Sequence, residues 1–159
     1  MLPNADIFII LLPFFSYNFL NLLQKRSMQR ILNSMKNIAV IGFSPEPAKA
    51  SNMVGHYLIK QGFNVYPVYP KEGEIYGRKI YKSLRDINDP IDTVVMFRKS
   101  EFASSLLDEA YDIGAKNLWL QLGIENDEVM AKAEILGINF IQNACIMVEH
   151  KKENNGKLK

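Results

Sequence analysis

The chain has 159 residues, 48% of them hydrophobic and 23% charged, which is the balance of one folded domain and not of a disordered or fibrous chain. A formal net charge of +2 argues against a dedicated nucleic-acid binder, which would carry a strong basic stripe. Cys145 is the single cysteine, so an intrachain disulfide is excluded. With only His56 and His150 beside it, no Cys/His cluster stands at metal-ligand spacing.

Residues 1–34 open on a dense apolar run, Ile7–Phe15. Tyr17, Phe19, Leu20, Leu22 and Leu23 follow, and then the cations Lys25, Arg26 and Arg30. A membrane anchor needs about 20 mostly apolar residues, and here Asp6, Pro13, Ser16, Asn18 and Asn21 interrupt the stretch. A signal peptide needs a positive start and a small-residue cleavage site, and Met1–Asp6 holds no Lys or Arg. Three readings stay open: a segment upstream of a start at Met28 or Met35, an anchor, and a packed or disordered extension. In each, residues 1–34 lie outside the ligand-binding domain, which is expected to span 35–150 in a cytoplasmic protein.

Asn37–Phe43 is a short apolar run that ends at Gly42 and suits a strand buried on both faces of a parallel sheet. Pro45 and Pro47 make the next residues a loop. Lys49–Gln61 follows with Met53, Val54, Tyr57 and Leu58 at helical spacing. Phe63–Tyr69 is β-branched and aromatic, a second strand that Pro70 ends. Lys71–Gly77 reads as a loop and Ser83–Ile87 as a short helical turn. Asp92–Phe97 is a third strand, and Ser100 is the expected N-cap of a helix running to Ile113. Asn117–Leu122 and Ile138–Gln142 are the fourth and fifth strands. Between them lies a helix capped by Asn126 or Asp127. The charged tail 151–159 is expected to be mobile.

Strands alternating with helices predict an α/β chain: a Rossmann-like, doubly wound parallel sheet of about five strands in three layers, α/β/α. Such sheets take ligands beyond the carboxyl ends of their strands, at the topological switch point. Gly42 allows a sharp turn there and a close approach to a ligand. The helix that follows presents free N–H groups to phosphate. Ser44 and Ser51 offer hydroxyl donors. Lys49, Lys71 and Arg98 follow strand ends, and three cations on one rim suit a ligand with several phosphates. The G-x-G-x-x-G fingerprint is missing, and Val68-Tyr69-Pro70 stands where a dinucleotide site needs an acid for the ribose. No G-x-S-x-G elbow, H-E-x-x-H or other catalytic set is present, so no catalytic residue is assigned. His56 reads as a helix-surface or packing residue, and Cys145 as a buried, inert thiol.

Five stretches carry a resemblance in the order they occur: IAVIGFSPEPAKASNMVGHYLIKQGFNVYPVYP, EIYGRKIYKSL, DTVVMFRKSE, AKNLWLQLGI and NACIMVEH. They resemble the small stand-alone CoA-binding proteins, which are similar to the CoA-binding domain of the succinyl-CoA synthetase α-subunit and related acyl-CoA ligases. The resemblance covers Lys36 to His150. It implies that Gly42, Phe43 and Ser44 hold the CoA pyrophosphate, with Lys49 at a position that is usually Arg or Lys. It further implies that Val68, Tyr69, Pro70 and Lys71 border the adenosine, that Phe97 and Arg98 form the phenylalanine-arginine motif, and that Gln121 and Gly123 belong to the glutamine-leucine-glycine motif. Tyr69 departs from the family's common Asn, and Ala144 from a common basic residue. The resemblance implies coenzyme A or an acyl-CoA as ligand and a non-catalytic binding or sensor module. Two alternatives stand beside it. One is a nucleotide-dependent enzyme or subunit, oxidoreductase or acyl-CoA ligase-like. The other is a scaffold that has lost its ligand.

Overall fold

The computed structural model describes residues 17–157. The apolar run Ile7–Phe15 lies outside the described residues. Five parallel strands form the central sheet: β1 (Asn37–Ile41), β2 (Asn64–Val68), β5 (Thr93–Met96), β6 (Asn117–Leu120) and β7 (Asn139–Ile141). Their spatial order is β2-β1-β5-β6-β7. A two-stranded hairpin, β3 (Glu74–Ile75) and β4 (Arg78–Lys79), stands apart from this sheet. The helices are α1 (Tyr17–Ser34), α2 (Ala50–Lys60), α3 (Ala103–Asp112), α4 (Asp127–Leu136) and α5 (Ile146–Lys157).

Alternation along each strand divides the core between two layers. Ala39, Ile41, Val94, Met96, Leu118 and Leu120 face α3 and α4, meeting Leu107, Ala110, Val129 and Ala133. Ile38, Val40, Val65, Val95, Trp119 and Ile141 face the other way, toward Val54 and Leu58 of α2, Ile146 of α5 and Ile31 of α1. All of these are buried, because both faces of a parallel sheet are covered. The doubly wound α/β/α architecture follows.

The amino ends of the strands are fastened by side chains. The Asn64 amide donates to Asn37 Oδ1 at 2.8 Å, Asn117 to Thr93 Oγ1 at 2.9 Å, and Asn139 to Asn117 Oδ1 at 2.9 Å. The Asp92 carboxylate accepts from the Asn37 N–H at 2.7 Å. At the carboxyl ends the connections diverge. The chain leaves β1 through α2 on one face and β5 through α3 on the other, so a crevice opens between β1 and β5.

Several local expectations change. Ser100 is not the N-cap of the third helix: a 3₁₀ turn, Ser100–Phe102, precedes α3, and Lys99 flanks it without a side-chain cap. The stretch Lys71–Gly77 is not all loop, because Glu74 pairs with Lys79 across the hairpin. Lys151–Lys157 is helical, continuing α5, whose Ile146 and His150 are buried, and the Gln29 amide of α1 donates to Glu153 Oε1 at 3.0 Å. Asn126, as expected, caps α4, accepting from the Val129 N–H at 3.1 Å. Of residues 1–34, the helix α1 packs on the sheet. Its Ile31 is fully buried, and Gln24 Oε1 accepts from the Gln142 N–H at 3.2 Å. Met35, just after this helix, is buried in the same layer as Ile31.

Two outcomes test this packing. Ile31→Ala should lower the free energy of unfolding by about 2–5 kcal/mol, the range for truncating a buried aliphatic side chain, as read from urea denaturation of the full chain. The second concerns His150, whose Nδ1 meets the Tyr57 hydroxyl at 2.8 Å. Burial, with Lys157 nearby, holds His150 below the ordinary histidine pKa. The unfolded chain therefore binds the proton more readily. The stability tied to neutral His150 is present above about pH 6.5 and is lost as pH falls below it. A His150→Gln protein should show a flatter decline between neutral and mildly acidic pH.

Candidate functional site

The carboxyl rim is built around Gly42. Its φ is +82°, a conformation that side-chain-bearing residues rarely adopt. A Cβ there would come within 3.1 Å of the Phe97 carbonyl oxygen. Position 42 is therefore glycine both for its backbone angle and for the close approach of β5. The Gly42 and Phe43 N–H groups both donate to the Val68 carbonyl, at 2.9 and 3.3 Å, and tie the end of β1 to the end of β2.

The next residues are braced by α2. Ser44 donates its N–H to Ser51 Oγ at 3.1 Å, and its carbonyl accepts from the Asn52 amide at 2.9 Å. Ser44 Oγ accepts from the Glu46 N–H at 3.1 Å, which leaves its own hydrogen to donate. Lys49 flanks the start of α2 without a side-chain cap, so the first turn of that helix keeps N–H groups for an outside acceptor. The loop can thus meet an anion with the Ser44 hydroxyl, the amino end of α2 and the exposed Lys49. The N–H groups of residues 42–44 already serve the fold.

Six of the expected residues line one cleft: Gly42, Val68, Tyr69, Pro70, Phe97 and Arg98, in a volume of about 340 Å³. A second hollow of about 100 Å³ continues from Ile41, Val68 and Arg98 toward Ser83, Phe102, Ser105 and Glu109. Arg98 crosses the Phe102 ring at 4.0 Å, a contact that fixes a long side chain without neutralising it. Lys49, Lys71 and Gly123 are exposed on the same edge but outside the cleft. Phe43 turns its ring into the core, where Gly55 makes room for it: a Cβ at Gly55 would fall on that ring. Only its main chain stands at the rim. Ser51 is buried as a brace.

Gln121 sits at the end of β6 and is 3% exposed. Its N–H donates to the Met96 carbonyl and its carbonyl accepts from Ile124. Its side-chain Nε2 is buried without a hydrogen-bond partner among the described residues. A buried, unpaired amide is costly, and a ligand group at this end of the sheet would relieve it. The Gly123 N–H is already used, donating to Asn143 Oδ1 at 2.8 Å.

Lys82 was not expected at the site. It lines both hollows and pairs with Glu72 at 2.8 Å. It reaches the rim because Tyr81 bridges to Val68 in parallel, prolonging the edge beyond β2. The only signal in the sequence was its place within EIYGRKIYKSL. Among the described residues, no group of three His, Cys, Asp or Glu side chains is gathered as a metal site. No described helix is long and apolar enough to cross a membrane.

A doubly wound parallel sheet with helices on both faces and a cleft at its switch point defines a Rossmann-like α/β domain. The chain belongs to the CoA binding domain family, which matches residues 36–151. An uncharacterised Bacillus subtilis protein, YneT, is 35% identical over 126 residues, covering 79% of this chain and 93% of its own. A hypothetical protein of Pyrococcus horikoshii OT3 has a solved structure that superposes with a TM-score of 0.74 at 38% identity, over 80% of this chain and 89% of that one. The α-subunit of an ADP-forming acetate–CoA ligase from Pyrococcus furiosus is 36% identical over 96 residues, covering 57% of this chain and 21% of the subunit.

Gly42 offers a direct check. Gly42→Ala should cost about 1–2 kcal/mol for the left-handed backbone alone, and more if the Phe97 carbonyl cannot retreat. The midpoint of chemical denaturation should fall accordingly, whereas Gly114→Ala, with a similar φ of +79° and nothing within 4 Å of an added Cβ, should show only the backbone part.

Proposed function

We propose that the protein binds coenzyme A or an acyl-CoA across the carboxyl edge of its sheet, as a non-catalytic binding or sensor module. The observation that carries this reading is the cleft at the β1/β5 crevice, lined by both Arg98 and Lys82. In this reading the diphosphate lies by Ser44, Lys49 and the start of α2. The adenosine lies against Val68, Tyr69 and Pro70, with Lys71, Lys82 and Arg98 available to its phosphate.

The arm of the ligand supports CoA over a plain nucleotide. Parallel strands lie about 4.8 Å apart, so the end of β6 stands two spacings, roughly 10 Å, from the end of β1. A group that relieves the Gln121 amide must therefore sit on a long arm beyond the diphosphate. The pantetheine arm of CoA is such a group, and its amides offer carbonyls to an N–H donor. Against NAD, no acid ends β2. Glu72, the nearest acid after it, does not line the cleft.

Binding, not ligation, is what the likeness to the acetate–CoA ligase supports. The shared stretch is about a fifth of that subunit, and the cleft gathers no nucleophile with an adjacent base. Localisation in the cytoplasm is part of the same proposal.

CoA should raise the melting temperature more than NAD at equal concentration. A ligand selective for the folded state adds about 2.7 kcal/mol at a hundred times its Kd, and equal shifts would remove the preference for CoA. Arg98→Ala and Lys82→Ala should each weaken CoA by about tenfold or more in calorimetric titration, the worth of a charged hydrogen bond. Apo stability should change by less than about 1 kcal/mol, since both side chains are on the surface.

A further inference from the structure

The hairpin tip carries an unusual residue. Tyr76 and Gly77 are the two central residues between Ile75 and Arg78, and both have positive φ, 51° and 74°. Such two-residue turns favour Asn-Gly or Gly-Gly, because side chains are strained in the left-handed region. A tyrosine there needs compensation from its surroundings. Its ring stacks on His56 of α2, with centroids 4.1 Å apart and planes 8° from parallel. Its hydroxyl donates to Asn52 Oδ1 at 2.6 Å. Ile75 and Ile80, both buried, fix the base of the hairpin on the core.

Asn52 is the link to the rim. It is 2% exposed, and its Nδ2 donates to the Ser44 carbonyl. That carbonyl can only accept, so it dictates which end of the Asn52 amide faces it. The remaining Oδ1 is left for the Tyr76 hydroxyl. The tyrosine therefore locks the amide that holds Ser44, while Ser51 holds Ser44 from its N–H side. Ser44 is the residue whose hydroxyl hydrogen is free for an anion.

We propose that Tyr76 is a positioning residue for the anion-binding loop, acting through Asn52 on Ser44. The inference rests on the reading of that loop as the diphosphate site of a CoA-binding protein. Tyr76 touches no ligand itself. It holds the loop in the binding geometry before the ligand arrives, so its loss raises the cost of ordering the loop on binding. The hairpin is thus a brace across the amino end of α2.

Tyr76→Phe isolates the hydroxyl, because it keeps the ring on His56 and the same backbone. CoA and inorganic pyrophosphate are titrated by calorimetry into wild-type and Tyr76→Phe full-length protein. Both ligands should bind the variant roughly fivefold more weakly, the equivalent of one net hydrogen bond. The apo melting temperature should fall by only about 2–4 °C, the worth of one net hydrogen bond of about 1 kcal/mol, with the unfolding transition still cooperative. An Asn52→Ala protein should bind at least as weakly, and adding Tyr76→Phe to it should cause no further loss, since the two act in series. If Asn52→Ala does not fold, the Tyr76→Phe titrations decide alone. Unchanged affinity for both ligands in Tyr76→Phe would overturn the positioning role and leave CoA binding standing. If wild type binds pyrophosphate but not CoA, and the variant binds pyrophosphate more weakly, the brace stands and the CoA reading falls. Binding of neither ligand by wild type would overturn both.

Discussion

The Val68 carbonyl accepts two hydrogen bonds, from the N–H groups of Gly42 and Phe43. This bifurcated contact pulls the end of β1 across onto β2 and turns the chain abruptly out of the sheet. It requires the positive φ of Gly42. It also brings Gly42 close to the Phe97 carbonyl, while the Phe97 N–H donates to the Ile41 carbonyl at 2.9 Å and holds β5 on the other side. Three strand ends are thereby held at one point, and the crevice between β1 and β5 takes its shape from them. Arg98 follows Phe97 directly and lines that crevice, while Ser44 follows Phe43 into the loop beneath α2.

The two edges of the sheet are treated differently. At the amino edge, asparagine and threonine side chains bond to one another across neighbouring strands, and Asp92 fastens the start of β1. Few polar groups are left over there. At the carboxyl edge, the Gln121 amide is buried without a partner, Arg98 and Lys49 carry charges free of ion pairs among the described residues, and the first turn of α2 has no cap. Unmet polar capacity is therefore concentrated at one end of the molecule. A polyanionic ligand with a polar arm would satisfy it.

The proposed preference for CoA over a dinucleotide rests on what stands beside Gly42. A dinucleotide site would place an acid at the end of β2 for the ribose hydroxyls. Here Tyr69 and Pro70 form that end, and Lys82 approaches it from the strand-like segment after the hairpin. The hairpin thus does two things for the edge. Its base extends the wall of the cleft through Tyr81 and Lys82, and its tip reaches Asn52 under the loop.

The sequence by itself determined the alternation of strands and helices, the parallel sheet, and the placing of Gly42, Val68 and Phe97-Arg98 at strand ends. Each of these rests on local pattern: apolar runs of strand length, prolines and glycines that stop them, and helical spacing between. The motif stretches added the family. Only the tertiary structure decided the rest. Phe43 points into the core because Gly55, twelve residues on, leaves space for its ring. Lys82 joins the cleft because a single bridge to Val68 brings it there. Ile31 belongs to the core because α1 lies on the sheet beside β7, although its own helix is rich in polar residues and reads as an appendage. Lys151–Lys157 is helical because Ile146 and His150 anchor the same helix to α2 and the sheet. Contacts between residues far apart in the chain leave no local period to read, and so these positions are fixed by the folded surface that receives them.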